Sequence, residues 1–464
     1  MPAPPASPAP TSPSPASPPS SSPRKVALAG AIGTTIEWYD FFLYGTAASI
    51  VFDRLFFPEF DSVVGTLIAF SAFAIGFVAR PLGGVIFGHF GDRVGRKTAL
   101  ITTMFIMGAG TTLIGVLPTY DSIGVWAPIA LVLLRIVQGI GIGGEWGGAV
   151  LMSVEHAPEG RKGYYGSWPQ VGVPAGLMLG TGVFALLSST LSSEQFLAWG
   201  WRVAFLLSAV LVLIGLWIRL QVFETPAFQN VKDQRSEARV PIVELLRTSK
   251  LNLLLGMGTR MAEGIAFNTW GVFAIAYATT QLDVPRTHVL LGVMVAAAVC
   301  VPVIPLWGHL SDKYGRLRTF GVGAALFGLS AFPAFALFNT GSALVIGGTL
   351  VVTLGLFYGA MYGPQAALYA ELFPPNIRYS GVSCVYQISG ILASGCTPLI
   401  LTALLQSGGG SPWLLTLYVV AMSAVSLASV ILIAVLRRKN IISSPTETPT
   451  DRTPAPEAAP AEPR

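Results

Sequence analysis

Residues 88–100 read GHFGDRVGRKTAL, and residues 308–320 read GHLSDKYGRLRTF. His89, Asp92, Gly95 and Arg96 fall on His309, Asp312, Gly315 and Arg316 at one constant offset. A second echo lies further along each half. EHAPEGRKGYYGSWPQ, from Glu155, is matched by ELFPPNIRYSGVSCVYQ, from Glu371, with acid, Pro, Arg and Gln in order and a one-residue slip. One design therefore occurs twice in the same orientation.

The residues between the echoes identify the medium. Of 464 residues 52 % are hydrophobic and 11 % charged, whereas soluble domains carry about 25 % charged residues. An apolar run of about 20 residues can cross a bilayer as a helix. Twelve such runs occur: 26–52, 63–88, 98–118, 126–153, 165–188, 201–221, 250–280, 288–308, 319–339, 342–370, 380–406 and 411–436. Hydrocarbon forces each backbone to satisfy its own hydrogen bonds, so all twelve are expected to be helical. The expected fold is all-α, with twelve transmembrane helices in two parallel six-helix repeats.

Lys and Arg set the orientation. The side that holds the N-terminus carries Arg24, Lys25, Arg93, Arg96, Lys97, Arg161, Lys162, six basic residues around the central loop, Lys313, Arg316, Arg318, Arg378, Arg437, Arg438 and Lys439. The opposite side has Arg54, Arg202 and Arg286. Such an imbalance makes the first side cytoplasmic, with both termini inside, and it requires an even helix count. It also accounts for the net charge of +5 without nucleic acid.

The chain divides into a Pro/Ser-rich tail (1–25), a six-helix bundle (26–221), a cytoplasmic central loop (222–249), a second bundle (250–440) and a second tail (441–464). The tails read as disordered, and the first lacks the basic-then-apolar order of a signal peptide. Cys300, Cys384 and Cys396 lie in apolar runs without ligand or disulfide spacing and read as small core residues.

Two motifs have ordinary explanations. GIGIGG, Gly139–Gly144, matches the dinucleotide fingerprint by letter, but it lies inside a span, where small residues serve close helix packing. GDRVGRKT, Gly91–Thr98, lacks the spacing of a phosphate loop. No ATPase module and no cofactor is expected, so energy comes from a gradient, with the proton as the coupling ion.

Charges inside spans cost roughly 2.5–3.5 kcal/mol each on insertion scales and mark function or internal pairing. At 1.5 Å rise per residue, Glu37 and Asp40 lie about 16–21 Å into the first span, Arg135 about 14 Å into the fourth, and Arg260 and Glu263 about 15–20 Å into the seventh. All reach the middle of a core about 30 Å thick. Arg80 stands about 12 Å above the cytoplasmic end of the second span, beside Pro81. Glu145 lies near the cytoplasmic end of the fourth span, where snorkelling would be cheap.

Glu37 and Asp40 share a helix face, as do Arg260 and Glu263. A carboxylate beside Arg135 is a proton site, and its protonation would free the arginine to bind an anion. The alternatives are a structural ion-pair network for Glu37 and Asp40, a self-neutralising local pair for Arg260–Glu263, and a structural or gate contact for Arg80. Uncharged candidates for the cavity are Tyr39, Tyr44, Gln138, Trp146, Asn268, Tyr362, Gln365, Tyr386 and Gln387. The substrate-binding set is Arg135, Arg80, Arg260, Gln138, Tyr44, Asn268, Gln365 and Tyr386.

Parallel repeats of this kind are the plan of major facilitator transporters. GHFGDRVGRK resembles the signature loop of that superfamily, and RIVQGIGIGGEWGG, from Arg135, resembles its fourth-helix motif. IEWYDFFLYGTAA, FVARPLGGVIFGHFGDRVGRK and GGEWGGAVLMSVEHAP resemble the metabolite:proton symporter family, which includes shikimate, proline/betaine, α-ketoglutarate and citrate carriers. After the sixth span FETPAF, Phe223–Phe228, departs from the acidic–Ser–Pro–Arg run of sugar porters, which argues against a sugar.

The resemblance implies a cytoplasmic gate or latch of Asp92, Arg93, Arg96, Asp312 and Arg316, and it puts Asp40 ahead of Glu37 as the coupling acid. The expected protein is a monomeric proton-coupled symporter of the plasma membrane, in a bacterium the inner membrane. It would import an organic-acid anion or, alternatively, a betaine- or proline-type zwitterion. A proton-antiport exporter and a membrane sensor are the rivals. An enzyme is not expected, since the midplane has no His pair or nucleophile–base spacing.

Overall fold

The computed structural model describes residues 22–59, 62–221 and 241–442. The tails before and after them, the FETPAF run, and Lys232, Arg235 and Arg239 of the central loop lie outside the described residues.

Among the described residues, twelve long helical segments follow one another. The first six are α1 (Pro23–Ile50), α2 (Ser62–Arg93), α3 (Arg96–Val116), α4 (Trp126–Glu155), α5 (Lys162–Thr190) and α6 (Ser193–Leu220). The second six are α7 (250–280), α8 (Arg286–Tyr314), α9 (Arg316–Phe338), α10 (Ala343–Ala370), α11 (Arg378–Ser407) and α12 (Trp413–Arg438). Nine of the twelve are long and apolar enough to cross a membrane by length and composition. The nine, counted among the described residues, leave out α1, α2 and α7; charge interrupts α1 at Glu37 and Asp40, and α7 at Arg260 and Glu263.

The surface is the inverse of a soluble protein's. Leu213, Trp217, Leu329, Leu344 and Leu399 point outward and are exposed, while Glu37, Asp40, Arg80, Arg135, Glu145, Arg260 and Glu263 are buried. Large contiguous apolar exposure is stable only against lipid.

The repeat is also a repeat of packing. α1 packs on α5, α2 on α4, and α3 on α4 and α6; α7 packs on α11, α8 on α10, and α9 on α10 and α12. The halves meet through α2 against α11 and α5 against α8, the two equivalent contacts of a pseudo-two-fold arrangement. The turns Gly95 (φ 127°) and Gly315 (φ 93°) join α2 to α3 and α8 to α9 in the left-handed region that favours glycine. That explains the glycine of the first echo.

The GIGIGG run works as the packing reading expects. A Cβ on Gly139 would overlap Gly76 O, and one on Gly143 would overlap Arg80 O, so α2 and α4 cross with backbones touching. α2 runs on through Pro81. The close crossing brings Arg80 and Arg135 to neighbouring faces.

Candidate functional site

α1 carries two buried acids that face different partners. Asp40 accepts hydrogen bonds from Ser208 Oγ of α6 at 2.5 Å and from Thr111 Oγ1 of α3 at 2.9 Å. Thr111 Oγ1 accepts from Gln138 Nε2 at 2.6 Å, and Gln138 Oε1 accepts from Arg135 Nη1 at 3.1 Å. The Arg135 guanidinium lies 3.9 Å from the Tyr44 ring centroid. Asp40, Gln138, Arg135 and Tyr44 are thus brought together as one relay over α1, α3 and α4. Three residues of helix leave side chains about 60° apart, and that angle turns Glu37 away from this relay. Glu37 lies within electrostatic reach of Glu145, Arg80, Arg219 and Asp40, and its Oε2 has no hydrogen-bond partner.

Arg80 sits in an aromatic box. Its guanidinium carbon is 4.1 Å from the Phe77 ring centroid, 4.8 Å from Phe41 and 5.8 Å from Trp38. Its Nε has no hydrogen-bond partner, and no carboxylate stands within ion-pair distance among the described residues. A buried guanidinium with an unpartnered donor attracts carboxylates strongly.

In the second half Arg260 and Glu263 pair at 3.5 Å, the self-neutralising geometry of the spacing. The Arg260 guanidinium also lies 3.7 Å from the Tyr386 ring centroid, and Tyr386 stacks on Trp146 of the other half at 3.7 Å. Gln365 donates to Glu263 at 3.0 Å and accepts from Gln170 at 3.3 Å, while Trp146 Nε1 donates to Gln170 at 2.8 Å. Asn268 differs from expectation: its amide donates to Gly264 O of its own helix at 2.8 Å and is used locally. Tyr39, from the wider pool, donates to Ala204 O within the first bundle. Trp38 and Phe42 meet Phe267 across the two halves, with centroids 6.4 and 6.0 Å apart.

The end of the bundle that carries the basic loops is closed. Asp92 accepts from Tyr379 N, Ser380 N and Ser380 Oγ at the start of α11. Asp312 accepts from Gly163 N and Tyr164 N at the start of α5. Each acid thus satisfies the free amides at the positive end of a helix in the other half. Arg96 pairs with Glu155 at 3.3 Å and donates to Pro375 O; Arg316 pairs with Glu371 at 2.8 Å. Arg378 of α11 also pairs with Glu155 at 3.2 Å. The second echo thereby gains a meaning. Gln170 donates to Tyr362 O across the interface, and its counterpart Gln387 donates to Gly143 O. These cross-half bonds lie between the midplane and the basic end. Arg93 is a correction: it is exposed at the end of α2 and stands outside the network. One residue after Asp92 is about 100° of rotation, which turns its side chain off the interface.

Glu145 is the second correction. It does not snorkel; it is buried and pairs with Arg219 Nη2 at 2.5 Å. The fourth helix continues to Glu155, leaving Glu145 more than two turns inside, and α6 brings a cation to it. Sequence reading counted Arg219 as a topology charge and missed Thr111, Ser208 and Gln170. The recurring Gln of the echo was a signal for Gln170. Hydroxyls in apolar spans most often bond their own helix, so Thr111 and Ser208 gave none.

The Major Facilitator Superfamily model matches residues 30–383 and 261–462. The shikimate transporter of Escherichia coli K12 is 40 % identical over 412 residues, 88 % of this chain and 94 % of the relative. The inner membrane metabolite transport protein YhjE of the same organism is 40 % identical over 422 residues, 90 % and 95 % of the two chains. The E. coli K12 proline/betaine transporter is 34 % identical over 397 residues, 83 % and 78 %. Among solved structures, the proton:xylose symporter XylE bound to 6-bromo-6-deoxy-D-glucose superposes with TM-score 0.69 at 16 % identity, covering 90 % of this chain and 95 % of that one.

Proposed function

Because the chain belongs to the Major Facilitator Superfamily, we propose that it is a proton-coupled symporter that imports a small organic-acid anion by alternating access. The membrane is the bacterial plasma membrane, the basic end is cytoplasmic, both termini lie inside, and the working unit is a monomer. The proton gradient supplies the energy, without a cofactor.

One observation carries the reading: Arg80 is buried with its Nε unpartnered and, among the described residues, no carboxylate at ion-pair distance, while it lies within electrostatic reach of an acid, Glu37, that has an unpartnered oxygen. Proton arrival at Glu37 or Asp40 removes negative charge beside Arg80 and Arg135. The arginines then favour an incoming carboxylate, so proton and anion bind together. Arg260, held on Tyr386, supplies positive charge from the second half, with Gln365 supporting its partner Glu263. Asp92 and Asp312 hold the cytoplasmic end closed while the site loads from outside.

The relatives named for shikimate support a carboxylate substrate. Those named for proline and betaine support a second reading, a zwitterion.

Purified protein in proteoliposomes with an imposed inward proton gradient tests both. Shikimate and other organic acids should accumulate, and collapse of the gradient should abolish accumulation. Accumulation of glycine betaine or proline alone would replace the anion reading with the zwitterion one. No accumulation of any of these under the gradient would sink the symport reading.

A further inference from the structure

The Glu145–Arg219 pair lies on the cytoplasmic side of Glu37, inside the first bundle. Arg219 Nη1 also donates to Leu100 O at 3.2 Å. Glu145 Oε2 and Arg219 Nε nevertheless have no hydrogen-bond partner, although both side chains are buried. A purely structural buried pair is stable when its remaining lone pairs and protons are also satisfied. This one keeps an acceptor oxygen open.

Gly33 makes room for it. A Cβ on Gly33 would overlap Arg219 Nη2, so the guanidinium occupies the place of a side chain on α1. Glu37 stands four residues on, just over one turn or about 6 Å along the same stripe. Its Oε2 is open as well, and Glu145 and Arg219 are within its electrostatic reach. Glu37 and Glu145 thus form two open carboxylate steps from the midplane toward the cytoplasmic end.

A second observation extends the series. A crevice lined by Val26, Ala29, Lys97, Leu100, Met152 and Arg219 lies at the cytoplasmic end of α1 and reaches Arg219, the partner of Glu145. Its volume of about 20 Å³ has room for one water molecule. The crevice runs among α1, α3, α4 and α6 of the first bundle. The substrate path between the halves is a different place, closed by Asp92 and Asp312.

The geometry points to a proton exit through the first bundle, separate from the substrate path, in which Glu37 passes its proton to Glu145 and Glu145 passes it to water beside Arg219. The O–H bond of Glu37 breaks as one forms at Glu145 Oε2. That bond then breaks as crevice water takes the proton and carries it to the cytoplasm. Arg219 stays charged throughout and stabilises the Glu145 carboxylate left behind; it is a positioning residue. The groups facing Glu145 are Glu37 and, further off, Asp40 on α1, Arg219 on α6, and Tyr379 on α11, which donates to Gly144 O. This route rests on the symport reading.

The test compares Glu145→Gln with wild type in proteoliposomes, with labelled shikimate as probe. Gradient-driven accumulation should fall by about 100-fold, the scale of losing a positioned proton acceptor. Shikimate exchange without a gradient should stay within about twofold, because exchange needs no net proton release. Unchanged accumulation, or equal loss of exchange and accumulation, overturns the route. A substrate-free measurement runs beside it. On acidification, infrared difference spectra of the wild type should gain a carboxylic-acid C=O band that is missing in Glu145→Gln. Absence of such a band means that Glu145 never takes a proton, and the route falls. If Glu145→Gln does not fold, Ala29→Leu, which fills the crevice, should lower accumulation and spare exchange; wild-type accumulation in that variant also overturns it. A wild type that accumulates no probe sinks the symport reading instead, and the infrared measurement still reads Glu145.

Discussion

At the residue scale the two acids of α1 have distinct settings. Asp40 is held by Ser208, Thr111 and, through Gln138, Arg135. Asn at that position keeps size and an acceptor, so Asp40→Asn should fold. It removes the exchangeable proton, so gradient-driven accumulation should drop by about 100-fold while exchange persists. Wild-type accumulation in this variant, measured in the same proteoliposomes, would make Asp40 structural. Arg135 was legible beside it from depth arithmetic alone. Ser208 was not, because nothing in a lone serine reveals which helix will lie against it.

At the element scale, the closed end depends on acids placed at helix starts. α2 has 32 residues, about 48 Å of helix, so its last turn projects beyond a core about 30 Å thick. Asp92 is in that turn, and burial pushes its carboxyl up to about 6 despite the nearby Arg96 and the Ser380 and Tyr379 bonds. In the open state the acid meets water and returns to the ordinary carboxylate value of about 3.9. The closed state therefore binds the proton more readily. Its stabilisation is complete below the open-state value and is lost as pH rises through about 6. Lowering cytoplasmic pH from about 7 to 5 should slow opening, measured as the rate of substrate exchange against internal pH. Asp92→Asn should flatten that dependence. A variant that keeps the full pH dependence would remove Asp92 from the switch.

At the scale of the whole molecule, among the described residues one ion pair ties the halves together at the basic end, Arg378 to Glu155, which Arg96 also holds; Arg316, Glu371 and Arg437 pair within the second half. The Glu155 side chain is buried, and removing one partner of such a pair costs on the order of 3 kcal/mol, about 100-fold in an equilibrium. Cys384 reports on this naturally. It is buried in α11, one turn beyond Ser380. Glu155→Gln should raise the rate at which a thiol reagent labels Cys384 from the cytoplasmic side, whereas Glu371→Gln, which leaves the Arg378–Glu155 pair intact, should raise it less. Equal labelling of Glu155→Gln and wild type would show that the cross-half pair does not control opening.

Composition and pattern alone determined the all-helical membrane fold, the twelve segments and the duplicated design. Those features follow from hydrocarbon's demand for internally bonded backbone and from a spacing that survives within each half. Midplane charges such as Asp40, Arg135 and Arg260 were legible for the same reason, since a charge in an apolar run is costly and conspicuous. Tertiary structure alone decided which charges meet. The angle between Glu37 and Asp40 sends them to different helices, Arg93 turns off the interface that Asp92 faces, and Asn268 folds back on its own backbone. Glu145, placed where snorkelling would be cheap, is buried instead because α6 brings Arg219 to it and Gly33 leaves room. Pairings between helices far apart in the chain depend on rotation and crossing, and no local pattern records those.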